Sequence, residues 1–212
     1  MVGNNNFYRI KVELSGKVLN FAMVNDTYNK YQTGTGELLI NEKYMPQIIK
    51  ITASNDIIKQ LQNKVGEYVV LAGCIRNYRQ DDQKFNVLQV YSVSDCKSEE
   101  QVNQVNATGE VISISTIKDK ENGVLKAVQL FLLTNEKYNK HARLRAVMFN
   151  NENHVIEKGI PEVNQIYMLN GYLQANKVAK QEREIDGENK LVRVGELELV
   201  FNEFSRIDDS EK

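Results

Sequence analysis

The chain carries two cysteines and two histidines in 212 residues. Cys74 and Cys96 show no Cys-x-x-Cys spacing, and His141 and His154 are isolated from them. A zinc site needs clustered thiolate and imidazole ligands, so none is expected, and the cysteines read as buried or half-buried thiols of a reducing compartment. Nor is there a Gly-x-Ser-x-Gly elbow, a Cys/His pair or a glycine-rich phosphate loop. Catalytic residues, bound metal and cofactor are therefore all expected to be absent. No apolar run approaches the length that spans a bilayer, and Met1–Asn6 has neither the basic nor the apolar region of a signal peptide. The sequence reads as a cytoplasmic protein that is neither an enzyme nor membrane-bound.

What is present is a repeat. Asn-Glu-Lys-Tyr occurs at Asn41–Tyr44 and again at Asn135–Tyr138, each time after an apolar run. Upstream, Ser15-Gly16-Lys17-Val18 pairs with Thr108-Gly109-Glu110-Val111; downstream, Val65, Leu71, Gly73 and Ile75 fall on Val163, Leu169, Gly171 and Leu173. Colinear matches at three places imply two copies of one domain. The second copy carries a small insertion around Asn139–Asn153, and insertions of that size belong in loops or at strand ends. At 42% hydrophobic the chain can bury two modest cores. The expected domains are 1–96 and 106–207, with a short polar linker over 97–105 and a polar tail over 208–212.

Each copy has a β pattern. Tyr8, Ile10, Val12 and Leu14 alternate with polar residues, the period of a half-buried strand, and Gly16 within it suggests the bulge or bend that curls a small sheet. A third strand is expected at Gln47–Ala53 and Ala142–Phe149. A helix follows, from Ser54 or Asn55 with Ile57, Ile58 and Leu61 on one face, and in the second copy around Val155–Gly159. Hairpins pair Tyr68–Tyr78 with Phe85–Val93, and Ile166–Asn176 with Leu191–Val200, the latter at the end of a longer arm turning at Asp186-Gly187. Three strands, a helix and a two-strand hairpin give an all-β protein of two OB-fold five-stranded Greek-key barrels in tandem, each with one helix between strands three and four.

The second copy concentrates the binding chemistry. Lys137, Lys140, Arg143 and Arg145 lie with Tyr138 in a stretch that holds no acid. Alternation places Arg143, Arg145, Val147 and Phe149 on one strand face and Ala142, Leu144, Ala146 and Met148 on the other. Cations for phosphates beside rings for unpaired bases are what single-stranded nucleic acid requires. The plain structural reading is that Phe149 is core and the arginines a solvated face. Tyr172 is turned outward by the parity that buries Leu169 and Leu173, and Lys177 and Lys180 stand on the long arm, whose charges nearly balance. That arm either closes over a bound strand or is merely solvated. In the first copy the candidates are Lys43, Tyr44, Lys50, Arg76, Tyr78 and Arg79, with exposed hairpin residues as the ordinary alternative for the last three.

Several of these segments resemble the bacterial single-stranded DNA-binding proteins. They are Thr108-Gly109-Glu110-Val111, Leu132–Tyr138, Arg145-Ala146-Val147-Met148-Phe149, Glu157-Lys158-Gly159 and Leu169-Asn170-Gly171-Tyr172-Leu173. The resemblance implies that Tyr138 and Phe149 stack on bases and that Arg145 contacts the backbone. It puts Arg143 where the family often has a stacking tryptophan, and Val178 where a hairpin aromatic is common. It also implies a homodimer presenting four OB domains, and replication or recombination proteins as partners. The acidic, Phe-containing tip through which the family recruits such partners has no match in Asp208–Lys212. The first copy retains Tyr44, but its third strand offers Lys50 and no ring. The expected function is binding of single-stranded DNA without sequence specificity, in replication, recombination or repair. The alternatives are a protein-interaction module with little nucleic-acid affinity, or an RNA-binding protein.

Overall fold

A computed structural model of the chain describes residues 9–24, 33–41, 45–80, 83–96, 101–136, 140–150 and 159–207, with only the backbone described at 78–80, 83–85, 135–136, 140–142 and 177–178. Among the described residues ten strands and one helix follow in order: β1 (Arg9–Val24), β2 (Thr33–Ile40), β3 (Gln47–Ser54), α1 (Asp56–Asn63), β4 (Tyr68–Gln80), β5 (Gln83–Asp95), β6 (Asn103–Lys118), β7 (Leu125–Glu136), β8 (Lys140–Phe149), β9 (Ile166–Ile185) and β10 (Glu188–Arg206). The counterpart helix expected around Val155–Gly159 falls largely outside the described residues.

Each set of five strands closes on itself. In the first barrel β1 pairs antiparallel with β2 and β4, β2 with β3, and β4 with β5, while a parallel pairing of β3 with β5 completes the ring. In the second, β6 pairs with β7 and β9, β7 with β8, β8 with β10 in parallel, and β10 with β9. Both are OB folds, as the order of sequence elements predicts. The alternation along β1 buries Ile10, Val12, Leu14 and Val18, and α1 adds Ile58 and Leu61. The second barrel is filled by Val111, Leu130, Leu132, Leu144, Met148, Leu169 and Phe201.

Closure explains the repeated glycine. A Cβ on Gly16 would overlap the Leu39 carbonyl, and one on Gly109 the Leu133 carbonyl, so the first strand can cross the second closely only where a side chain is missing. The bulges follow two residues later, between Val18 and Asn20 and between Val111 and Ser113.

Packing groups the chain into two compact units: Met1–Lys11 with Gln104–Leu173 and Glu198–Lys212, and Val12–Asn103 with Gln174–Leu197. The long arm formed by the ends of β9 and β10 therefore packs with the first barrel. Its turn, Asp186-Gly187, has φ of 56° and 79°, the left-handed pair that suits a two-residue hairpin loop.

Candidate nucleic-acid interface

The register of β7 on β8 sets the composition of the second barrel's outer face. Leu133 faces Arg143, Phe131 faces Arg145, Gln129 faces Val147 and Ala127 faces Phe149, while Leu144, Ala146 and Met148 point into the core. Arg143 is exposed, and Phe149 is 40% exposed at the other end of the strand. Six residues at the rise of a strand separate them by about 20 Å. Phe131, on the same face, is half-buried.

Between these ends the face is partly closed. Val147 is buried in a small cluster with Ala127 and Val200. Arg145 donates from Nη2 to Gln129 Oε1 at 2.8 Å, and its Nε stands 3.1 Å from Glu198 Oε2. Glu198 is itself buried. Tyr172 is 39% exposed; burial, and then the negative charge of Glu198, hold its phenol above the ordinary value, so it is a neutral ring at working pH.

The remaining candidates divide by position. Lys180 and Lys50 are exposed, and Arg76 is half-buried, its Nη1 donating to Gln89 Oε1 at 3.4 Å. Tyr138, Lys137, Tyr44 and Lys43 lie outside the described residues. Lys140, Lys177, Tyr78 and Arg79 are described by backbone alone. Phe131, Gln129 and Glu198 were not among the candidates read from sequence. Parity would have found the first two, since burying Val128, Leu130 and Leu132 turns Gln129 and Phe131 outward.

The first barrel presents the same face with other residues. Leu39 faces Ile48, Glu37 faces Lys50, Thr35 faces Thr52 and Thr33 faces Ser54. Aligned on the repeat, Ile48 stands in the place of Arg143, Lys50 of Arg145, Ser54 of Phe149 and Glu37 of Phe131. The arm packs here. Ile185 and Val192 are buried against Leu39 and Ile48, with Leu19 and Val194 beside them. Arg193 and Val194 pair in parallel with Gln47 and Ile48, Arg193 N donates to Pro46 O at 2.9 Å, and Ala175 N donates to the buried Gln47 Oε1 at 2.7 Å. At the tip, Lys17 Nζ reaches both carboxylate oxygens of Asp186, at 2.5 and 2.6 Å. The arm's charged residues Lys180, Glu182, Arg183 and Glu184 are exposed, while its apolar Ile185 finds a partner on the first barrel.

No family model matches the sequence, and no curated protein matches it. Solved structures do. The wild-type single-stranded DNA binding protein from Thermus aquaticus aligns over 95% of this chain and 94% of its own, with a TM-score of 0.68 at 10% identity. A deletion mutant of the same protein gives 0.69 at 11% identity, over 95% and 96%. The chain has the tandem OB fold of that protein. At this identity the likeness is one of fold, and it is the fold that the sequence resemblance implied. The SSB domain of a Synechococcus sp. protein aligns over 41% of this chain and 96% of its own, at 18% identity and a TM-score of 0.34.

Among the described residues no helix is long and apolar enough to cross a membrane, and no group of three or more His, Cys, Asp or Glu could hold a metal ion.

Proposed function

We propose that the protein binds single-stranded DNA without strong base preference, through the outer face of its second barrel. The observation that carries this reading is Phe149, a large ring left 40% open at the end of a strand whose other end exposes Arg143. A ring that serves only as core would be sealed, and a base stacked on it is worth about 1–3 kcal/mol. Lys140 begins the same strand, with Lys137 and Tyr138 just before it in sequence, and Tyr172 is a further ring; Lys177 and Lys180 are further candidates on the arm. The fold shared with the Thermus aquaticus protein, named for binding single-stranded DNA, supports the same reading. We place the activity in replication, recombination or repair, in the cytoplasm, and in a homodimer presenting four OB domains.

Titration of a labelled oligo-dT at low salt tests the proposal. Binding should exceed that of a duplex of equal length and weaken steeply with salt, because neutralised phosphates release counterions. Failure to bind, or equal binding of duplex, would overturn it. A competing oligo-U distinguishes an RNA-binding protein, which would prefer the 2′-hydroxyl strand. One observation favours the reading as a protein-interaction module for the first barrel alone: its equivalent face already holds a polypeptide strand.

A further inference from the structure

Arg145 is the central cation of the proposed binding face, yet it does not stand there as an isolated charge. Its Nε lies 3.1 Å from Glu198 Oε2 and its Nη2 is bonded to Gln129, while the parallel register of Leu199 with Ala146 and Val200 with Val147 fixes Glu198 beside it. The carboxylate is 4% exposed, so its charge is balanced locally by the guanidinium rather than by solvent ions. A phosphate approaching the pair meets a cation and an anion together. Such a unit releases few counterions from DNA, because its own field largely cancels a few ångströms away.

The Arg145 side chain is 21% exposed, and the half-buried Phe131 is its partner across the strands. Guanidinium planes and aromatic rings are both surfaces on which bases stack. We infer that Glu198 is a positioning residue that holds Arg145 as a charge-compensated contact for bases, and that phosphate neutralisation falls to the other cations of the face. This rests on the single-stranded DNA reading above and assigns roles within that surface.

The salt dependence of oligo-dT affinity separates the two roles. Glu198→Gln keeps the shape and leaves Arg145 uncompensated. The slope of log K against log salt should then steepen by about 0.7, the value for one phosphate contact on a single strand, equivalent to about threefold more affinity lost over a fourfold rise in salt. Arg145→Gln combined with Glu198→Gln removes both charges and leaves no ion buried alone. It should bind more weakly at every salt concentration with the wild-type slope. A Glu198→Gln slope equal to wild type, or a double variant flatter by about 0.7, would overturn the inference. If the single variant does not fold, the double variant decides alone. Wild-type protein that fails to bind oligo-dT fails the underlying reading instead, a result distinct from either slope.

Discussion

The β2–β3 face and the β7–β8 face share one register and carry different chemistry. Where the second barrel sets Arg143, Arg145 and Phe149, the first sets Ile48, Lys50 and Ser54. The open ring and exposed guanidinium of one suit a solvated, charged strand. The leucine and isoleucine of the other lie beneath Ile185 and Val192. Under the proposed function one barrel's outer face is kept for a ligand while the other's is given to the chain itself, and the difference turns on a few side chains at fixed positions. Duplication of the fold has not duplicated the surface.

The largest effect expected from breaking this comparison is at the arm. Val192 is fully buried, and Val192→Asp would place a carboxylate against Leu39 and Ile48, at a cost of several kcal/mol unless the arm lifts off. Trypsin should then cut at Lys180 and Arg183, both exposed on the arm, faster than in wild type, and the melting temperature should fall. Unchanged digestion would mean that the arm does not depend on this contact. Next in size is Phe149→Ala, which should lower oligo-dT affinity by about 1–3 kcal/mol, whereas Ser54→Ala at the equivalent position of the first barrel should change it by less than about 0.5 kcal/mol. Equal losses would make the two faces equivalent and remove the contrast.

How much of this contrast the sequence carries differs from residue to residue. The barrels follow from colinear repeats and two-residue alternation; a strand's parity puts Arg143 and Phe149 on one face, and the structure adds that this face is the outer one. Gly16 and Gly109 mark the bend, and the structure gives the reason: the carbonyl of the neighbouring strand occupies the space of a side chain. The arm's destination is not legible. Ile185 sits singly between Glu184 and Asp186, Val192 lies in the run Leu191-Val192-Arg193-Val194 beyond the turn, and their partners Leu39 and Ile48 lie well over a hundred positions away. Glu198 is hidden for a related reason, since a carboxylate within β10 reads as solvated until the pairing with β8 brings it to Arg145.

The smallest expected effect concerns the tip of the arm. The hydrogen bond from Lys17 holds the Asp186 carboxyl below its ordinary value, with the charges of Lys17 and Lys190 acting in the same direction. A carboxylate whose folded pKa is depressed contributes stability that is present above the unfolded value, about 3.9, and is lost as the pH falls through the folded one. Asp186→Asn should therefore loosen the arm slightly at neutral pH, and the difference from wild type should shrink as the pH falls below about 4 and vanish once it has passed the depressed folded value. Because Asp186 remains 54% exposed, solvent screens the pair, and its effect stays well below that of Val192. Tryptic cleavage of the arm, compared at neutral pH for the two variants, ranks them directly. A larger increase for Asp186→Asn than for Val192→Asp would mean that charge at the tip, rather than the apolar contact over Leu39 and Ile48, holds the arm to the first barrel.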